Sequence, residues 1–276
     1  MTTTPEDQND YMAAVHTWRA EQDTKLRSET GWLTVVGLCW LHAGDNPIGS
    51  DPNSTVLLPA RMPAQLGILT LTEGGAVLRV TADGVEVLID GAPSHEAGLC
   101  YDAEHTTLVQ IDGVTFFVIQ RGERLGVRVR DVESEARRTF SGRCWFPVDA
   151  AYRVLGTFVP HPSARTLEVE TVIGTTVVYQ NPGAVTFELD GVPQQLEAFD
   201  GGDDQLWFVF RDATSGPLTY GAGRFLYAPL TADYTVDLDF NKAVHPPCAF
   251  TAYATCPLPP KENRLQRAIP AGEKSS

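Results

Sequence analysis

The amino-acid sequence predicts a mainly β protein: an amino-terminal helix, a β-sandwich, then a second β-rich unit with a proline-rich carboxy-terminal strap. Three observations carry this expectation. Past Gly31 the chain runs as short segments rich in Val, Ile, Leu, Thr and Phe, separated by turn residues at a spacing of about ten, the texture of sandwiches and barrels. No alternation of strands with helical periodicity is present, which disfavours a doubly wound parallel sheet. The last stretch holds Pro246, Pro247, Pro257, Pro259, Pro260 and Pro270, which favour extended backbone over regular helix or ladder.

Each element follows from its residues. Thr4 suits a helix cap and Pro5 the first helical position, while Glu6 and Asp7 complement the positive end of the helix dipole. Tyr11, Val15, Trp18, Gln22 and Leu26 then recur at helical spacing, so a helix is expected over residues 5–27 with this stripe against the protein body. Strands are expected over residues 56–59, 68–72, 76–81, 85–89, 106–111 and 115–120. Asp83-Gly84, Asp90-Gly91 and Asp112-Gly113 supply hairpin turns. The same texture resumes over residues 152–159, 166–171, 176–180, 185–189, 206–211 and 234–240. The charged stretch 131–138 and the segment Phe146-Pro147-Val148-Asp149 place a boundary between them. The expected organisation is a helix over residues 1–30, a sandwich over 31–140, and the second unit with its strap over 141–276. Phe250, Tyr253, Leu258 and Leu265 give the strap apolar anchors, so it is expected to lie ordered across the body.

Composition narrows the partners. A chain of 276 residues buries enough surface to fold without disulfides or metal. Its 35 acidic against 21 basic residues give a net charge of -14, which repels phosphate backbones and anionic membranes. No apolar run reaches the length of a membrane span. The five cysteines are odd in number and mostly scattered, and the first residues carry no basic or apolar leader pattern, so a cytoplasmic protein with reduced thiols is expected. A small-molecule partner is expected, with no cofactor.

The residues also carry a resemblance. Trp18-Arg19, Gly31-Trp32-Leu33-Thr34-Val35-Val36-Gly37-Leu38, Phe146-Pro147-Val148-Asp149 and Tyr220-Gly221-Ala222-Gly223-Arg224-Phe225-Leu226-Tyr227 resemble a prokaryotic family of uncharacterised proteins, domain of unknown function 1684. The densest blocks are Leu238-Asp239-Phe240-Asn241, Pro246-Pro247-Cys248-Ala249-Phe250-Thr251 and Ala254-Thr255-Cys256-Pro257-Leu258-Pro259-Pro260-Lys261-Glu262-Asn263-Arg264-Leu265. His245 departs from the family pattern, which more often has Asn there. The family implies no activity. A weaker likeness to a forkhead-associated sandwich runs from Asp45 to Pro59 and through Val87-Leu88-Ile89-Asp90-Gly91-Ala92-Pro93. It implies a sandwich fold for the first half, but Ser50 stands where that family's phosphate-binding Arg would fall.

Standard nucleophile-elbow, phosphate-loop and zinc-protease motifs are absent from the sequence. Period-two alternation puts Arg124, Arg128 and Arg130 on one strand face, a candidate anion clamp. The same alternation puts Tyr234, Val236, Leu238 and Phe240 on a core face, with Asp237, Asp239 and Asn241 opposite, where oxygen ligands suit a hard cation or acid–base work. In His245-Pro246-Pro247-Cys248, a polyproline II stretch would point the imidazole and thiol the same way. Cys256 could join them at zinc, though the spacing is not a standard one. The leading expectation is a small-ligand site between the second unit and the strap, contacted by Tyr220, Arg224, Asp239, Asn241, Asn263 and Arg264. The alternatives are a hydrolase using Asp239 with His245 or Cys248, and a protein-interaction scaffold.

Overall fold

Glu6 and Asp7 open the helix α1, Pro5–Arg27, in the computed structural model, which describes residues 5–102 and 104–275. The expected cap, Thr4, lies outside the described residues. On α1, Val15 and Leu26 are buried while Tyr11, Trp18 and Gln22 are half-buried, so the stripe faces inward. Arg19 lies beside that stripe and is buried as well.

The chain forms two compact units that divide after Phe140. One comprises Leu26–Phe140 with a short return, Thr251–Ala254. Its strands are β1 (Val35–Trp40), β2 (Gly44–Gly49), β3 (Val56–Leu57), β4 (Gly67–Thr72), β5 (Gly75–Val80), β6 (Leu88–Ile89), β7 (Ala92–Pro93), β8 (Glu96–Leu99), β9 (Val109–Ile111), β10 (Val114–Arg121) and β11 (Arg124–Asp131). They make a six-stranded sheet, β1-β11-β10-β9-β6-β7, and a five-stranded sheet, β3-β2-β4-β5-β8. Ile48, Leu69 and Leu78 from the second sheet meet Phe116, Val127 and Val129 from the first in one apolar core. Alternation of side chains along each strand sends these residues to the shared interior. At Asp90-Gly91 and Asp112-Gly113 both residues have positive φ, the geometry that makes a two-residue hairpin follow the strand twist.

The other unit comprises α1 up to Lys25, Ser141–Phe250 and the chain from Thr255 onward. Its strands are β12 (Cys144–Trp145), β13 (Arg153–Glu170), β14 (Thr176–Leu189), β15 (Val192–Asp200), β16 (Gln205–Phe210), β17 (Arg224–Pro229), β18 (Thr235–Asp239) and β19 (Glu273–Lys274). Six of them form the sheet β17-β16-β15-β14-β13-β18. A bridge from Leu230 to Val236 joins the two edges, so the sheet curls on itself. Val185, Leu196, Phe208, Phe210, Leu226, Leu238 and Phe240 fill the interior, closed at one end by Leu265, Ile269 and Ala271 of the strap.

The fold is mainly β, as the sequence predicts, but β1, β2, β15 and β17 lie outside the expected strands, the segments at 176–180 and 185–189 are one strand, β14, and Asp83-Gly84 joins β5 and β6, which lie in different sheets rather than in a hairpin. The segments expected at 152–159 and 166–171 are one long strand, β13, whose pairing shifts register between Pro160 and Arg165. Tyr234, expected on a core face, instead turns the chain with φ +62 and is 51% exposed. The opposite face of β18 is only partly solvated: Asp237 is half-exposed, while Tyr11 of α1 covers Asp239, 5% exposed, and Asn241 just beyond the strand, fully buried. No described helix is long and apolar enough to cross a membrane.

Candidate functional site

Three of the sequence candidates, Tyr220, His245 and Cys248, come together in the unit built on the curled sheet. Tyr220 ends the loop that follows β16, just before β17. Val244 pairs with Phe225 through two backbone hydrogen bonds, which sets His245 beside the start of β17. The residues after it differ from the expected polyproline II stretch: Pro247–Ala249 is a turn of 3-10 helix, with Pro247 at a position that needs no N–H.

The contacts of His245 fix its tautomer. The backbone N–H of Tyr220 donates to Nε2 at 3.1 Å, so Nε2 is the acceptor nitrogen. Nδ1 then carries the proton and faces Oε1 of Glu273 at 3.3 Å. The backbone N–H of His245 donates to the other carboxylate oxygen at 2.7 Å. Arg143 donates to that same oxygen, and its guanidinium lies 4.7 Å from the Phe250 ring centre. Burial, together with the Arg224 and Arg143 charges, pushes the imidazole down to about 3, so His245 is neutral near neutral pH. Burial pushes the Glu273 carboxyl up to about 7, against the opposing pull of Arg143 and the His245 N–H.

Cys248 lies at the other end of this cluster and is half-buried. The Tyr220 hydroxyl donates to the Cys248 carbonyl at 3.0 Å. The Cys248 backbone N–H donates to the sulfur of Cys256 at 3.3 Å. The neighbouring Cys256 side chain, set against burial, and the Tyr220 hydroxyl hold the Cys248 thiol below its ordinary value. Burial, with Cys248 next, pushes Tyr220 up to about 12, so its hydroxyl keeps its proton.

The remaining candidates serve separate networks. Asp239 accepts from the Tyr11 hydroxyl at 2.8 Å and from the Asn241 N–H at 3.2 Å. The Asn241 amide donates to Tyr11 and to the Asp149 carbonyl and accepts from the Asp149 N–H. Burial and Asp239 push Tyr11 above its ordinary value. Arg224, fully buried, pairs with Asp212 and donates to the carbonyls of Ile269 and Ala271. Asn263, also fully buried, bonds only backbone groups of Glu197 and Val209, and Arg264 donates to Pro259 at 3.4 Å. In the other unit the three arginines of β11 stack on aromatic rings: Arg124 on Trp40, Arg128 on Trp32 and Arg130 on Phe117, at 4.0, 4.9 and 4.9 Å from the ring centres. Among the described residues no group of three or more His, Cys, Asp and Glu side chains is arranged to hold a metal ion. Two cavities of about 340 Å³ each lie in the sandwich unit, one beside Gln110 and Thr115, the other beside Asp51 and Gln65; none of the candidates lines either.

Tyr11, Arg143, Asp212 and Glu273 complete these networks, and sequence reasoning did not single them out. Asp212 is twelve residues from Arg224 and the others lie farther from their partners, so no helix or strand period marks these pairs. The one available signal was Tyr11 on the inward stripe of α1.

The fold and site together define a two-unit β protein with a half-buried cysteine whose backbone N–H meets a second cysteine's sulfur in the proline-rich strap. Residues 138–274 match the family described as Protein of unknown function (DUF1684), and the chain belongs to that family. It is similar to an uncharacterised Haloarcula marismortui protein solved by NMR in solution: 35% identity over 50% of this chain and 79% of that one, with a TM-score of 0.43. No curated protein matches the chain. The likeness to a forkhead-associated sandwich gains no support from these comparisons.

Proposed function

We propose that this protein acts through the Cys248 thiolate, which meets a small electrophilic molecule at the wall formed by Tyr220, Cys248 and Cys256. The observation that carries the reading is the setting of the half-buried Cys248: its backbone N–H meets the Cys256 sulfur at 3.3 Å and its carbonyl accepts from the Tyr220 hydroxyl at 3.0 Å. Thiolates, not thiols, are the nucleophiles, so a thiol held below its ordinary value carries more of the attacking form. His245 is not its base. Nε2 already accepts from Tyr220, and the ring takes no proton near neutral pH. Its part is to position: held by Glu273 and Arg143, it holds the backbone of Tyr220 and with it the hydroxyl beside Cys248. A cytoplasmic location, where thiols stay reduced, fits this use. The hydrolase reading that pairs Asp239 with His245 or Cys248 has less support, because Asp239 is engaged by Tyr11 and by its own turn.

Alkylation with iodoacetamide, followed residue by residue by peptide mass spectrometry, tests the reading. Cys100 is exposed and serves as the internal reference. Each pKa unit of depression raises the thiolate fraction at neutral pH by about tenfold, so Cys248 is expected to react faster than Cys100. Tyr220→Phe should raise the midpoint of its pH–rate curve. A Cys248 that reacts no faster than Cys100, with an ordinary thiol midpoint in both proteins, would sink the proposal.

A further inference from the structure

We infer that Cys248 and Cys256 form a dithiol–disulfide couple that reduces small hydroperoxides, Cys248 being the attacking sulfur and Cys256 the resolving one. The inference rests on the reading of Cys248 as a reactive thiolate and adds its substrate class and its second sulfur. The first support is the juxtaposition itself: the Cys248 backbone N–H donates to the Cys256 sulfur at 3.3 Å, which places the two residues side by side.

The second support is that separate anchors hold the two cysteines. His245, three residues before Cys248, is tied to Glu273 through both its backbone and its ring. Cys256 is tied to the turn after β13: its carbonyl accepts from Val172 at 2.9 Å, and Pro257 forms a bridge with Thr171. The pair is therefore preorganised by the fold rather than by the seven-residue segment between its members, so forming the bond orders little chain.

The third support is access. Cys256 is only 6% exposed, whereas Cys248 is half-buried, so a reagent reaches Cys248 first. A site this closed favours a small oxidant, which is why a hydroperoxide is chosen over a bulkier disulfide.

The chemistry balances without a metal. The Cys248 thiolate attacks the terminal oxygen of the hydroperoxide, and the O–O bond breaks. Sulfur is oxidised to a sulfenic acid, and the alkoxide or hydroxide leaves. The leaving oxygen takes its proton from solvent. The Cys256 sulfur, giving up its proton, then attacks the Cys248 sulfur, forming the S–S bond and releasing water. Two thiols and one hydroperoxide give one disulfide, one alcohol or water, and one further water. An external dithiol returns the pair to the reduced state.

The test uses the reduced full-length protein with hydrogen peroxide, quenched with N-ethylmaleimide and mapped by peptide mass spectrometry. The expected result is a Cys248–Cys256 crosslinked peptide, formed with one equivalent of peroxide consumed and reversed by dithiothreitol. In Cys256→Ser the reaction should stop at a Cys248 sulfenic acid that dimedone traps; Cys248→Ser should give neither product. Fast alkylation of Cys248 together with no disulfide in the wild-type protein would overturn the couple and leave the thiolate reading standing. Slow alkylation and no oxidation would overturn both. The wild-type measurement decides the matter even if a variant fails to fold.

Discussion

His245 uses its two ring nitrogens as one donor and one acceptor, toward Glu273 and the Tyr220 N–H. An asparagine amide offers the same pair of roles, and the family resemblance expects Asn at this position. His245→Asn should therefore fold and leave the alkylation rate of Cys248 unchanged; a large loss of rate would restore a base role to the imidazole. The stability of the two proteins should differ with pH. His245 has its pKa depressed on folding, from 6.5 to about 3, so the unfolded chain binds the extra proton in that interval. Stability that depends on the neutral ring is complete above 6.5 and is lost as pH falls toward 3. Glu273 runs the other way: raised from 4.5 to about 7, its share of stability is present below 4.5 and lost as pH rises through that interval. The two slopes oppose one another where the intervals overlap. Subtracting the melting temperature of His245→Asn from that of the wild type isolates the histidine, and the difference should grow in favour of the wild type as pH rises from 3 to 6.5. A difference that stays flat would mean the ring is protonated in the folded protein.

At the scale of elements, the strap repairs an opening in the sheet. The ladder between β15 and β16 holds only Phe199 with Trp207 and Asp200 with Leu206. Beyond that point the side chain of Asn263 stands between the strands. Its Oδ1 accepts from Glu197 N–H at 2.7 Å, and its Nδ2 donates to the carbonyls of Glu197 and Val209 at 2.9 and 3.0 Å. One amide thus satisfies three buried backbone groups that would otherwise face one another unpaired. An unpaired buried group costs about 1–3 kcal/mol, so Asn263→Ala should cost on the order of 3 kcal/mol or more. For a chain of this size that lowers the melting temperature by roughly 6–12 °C. Asn263→Asp has nearly the same shape yet turns both donor positions into lone pairs facing carbonyls, so it should cost at least as much. An Asp variant that melts with the wild type would show that the amide is not holding the opening.

These elements also show what was legible beforehand. The helix, the Asp90-Gly91 and Asp112-Gly113 turns and most strands follow from local patterns, because period and turn chemistry act within a few residues. β15 escaped because Leu196, Glu197, Ala198 and Phe199 are all buried, which erases the alternation a strand is read by. For the site, the chemistry-bearing block from Leu238 to Cys256 was recognisable, but its division of labour was not. Arg224, Asn241 and Asn263 look like ligand contacts in a sequence because polar side chains beside glycines and prolines suit both uses. Only the partners reveal anchoring, and Asp212, Asp149 and Glu197 lie too far along the chain for spacing to find them.

The whole molecule has two separate apolar cores. One is built from residues between Ile48 and Val129; the other from residues between Phe158 and Ala271. Among the described residues none serves both. The two depend on the carboxy-terminal strap very differently. The sandwich unit takes from that region only Thr251–Ala254, of which Thr251 donates to the Val35 carbonyl at 2.9 Å. The curled sheet takes Leu265, Ile269 and Ala271 into its interior, and Arg224 takes two carbonyls from the same stretch. Ending the chain after Ala254 removes all of these while sparing the sandwich. Each large aliphatic side chain withdrawn from a core costs about 2–5 kcal/mol, against a domain stability of about 5–15 kcal/mol. The buried guanidinium of Arg224 would also be left with Asp212 alone, at further cost. The truncated chain should therefore lose the curled sheet and keep the sandwich. Hydrogen exchange read by mass spectrometry reports each part separately: amides of β10 and β11 should stay protected while those of β15, β16 and β17 exchange at near-unfolded rates. Loss of protection in both sets at once would mean that the two cores, though built from separate residues, stand or fall as one cooperative structure.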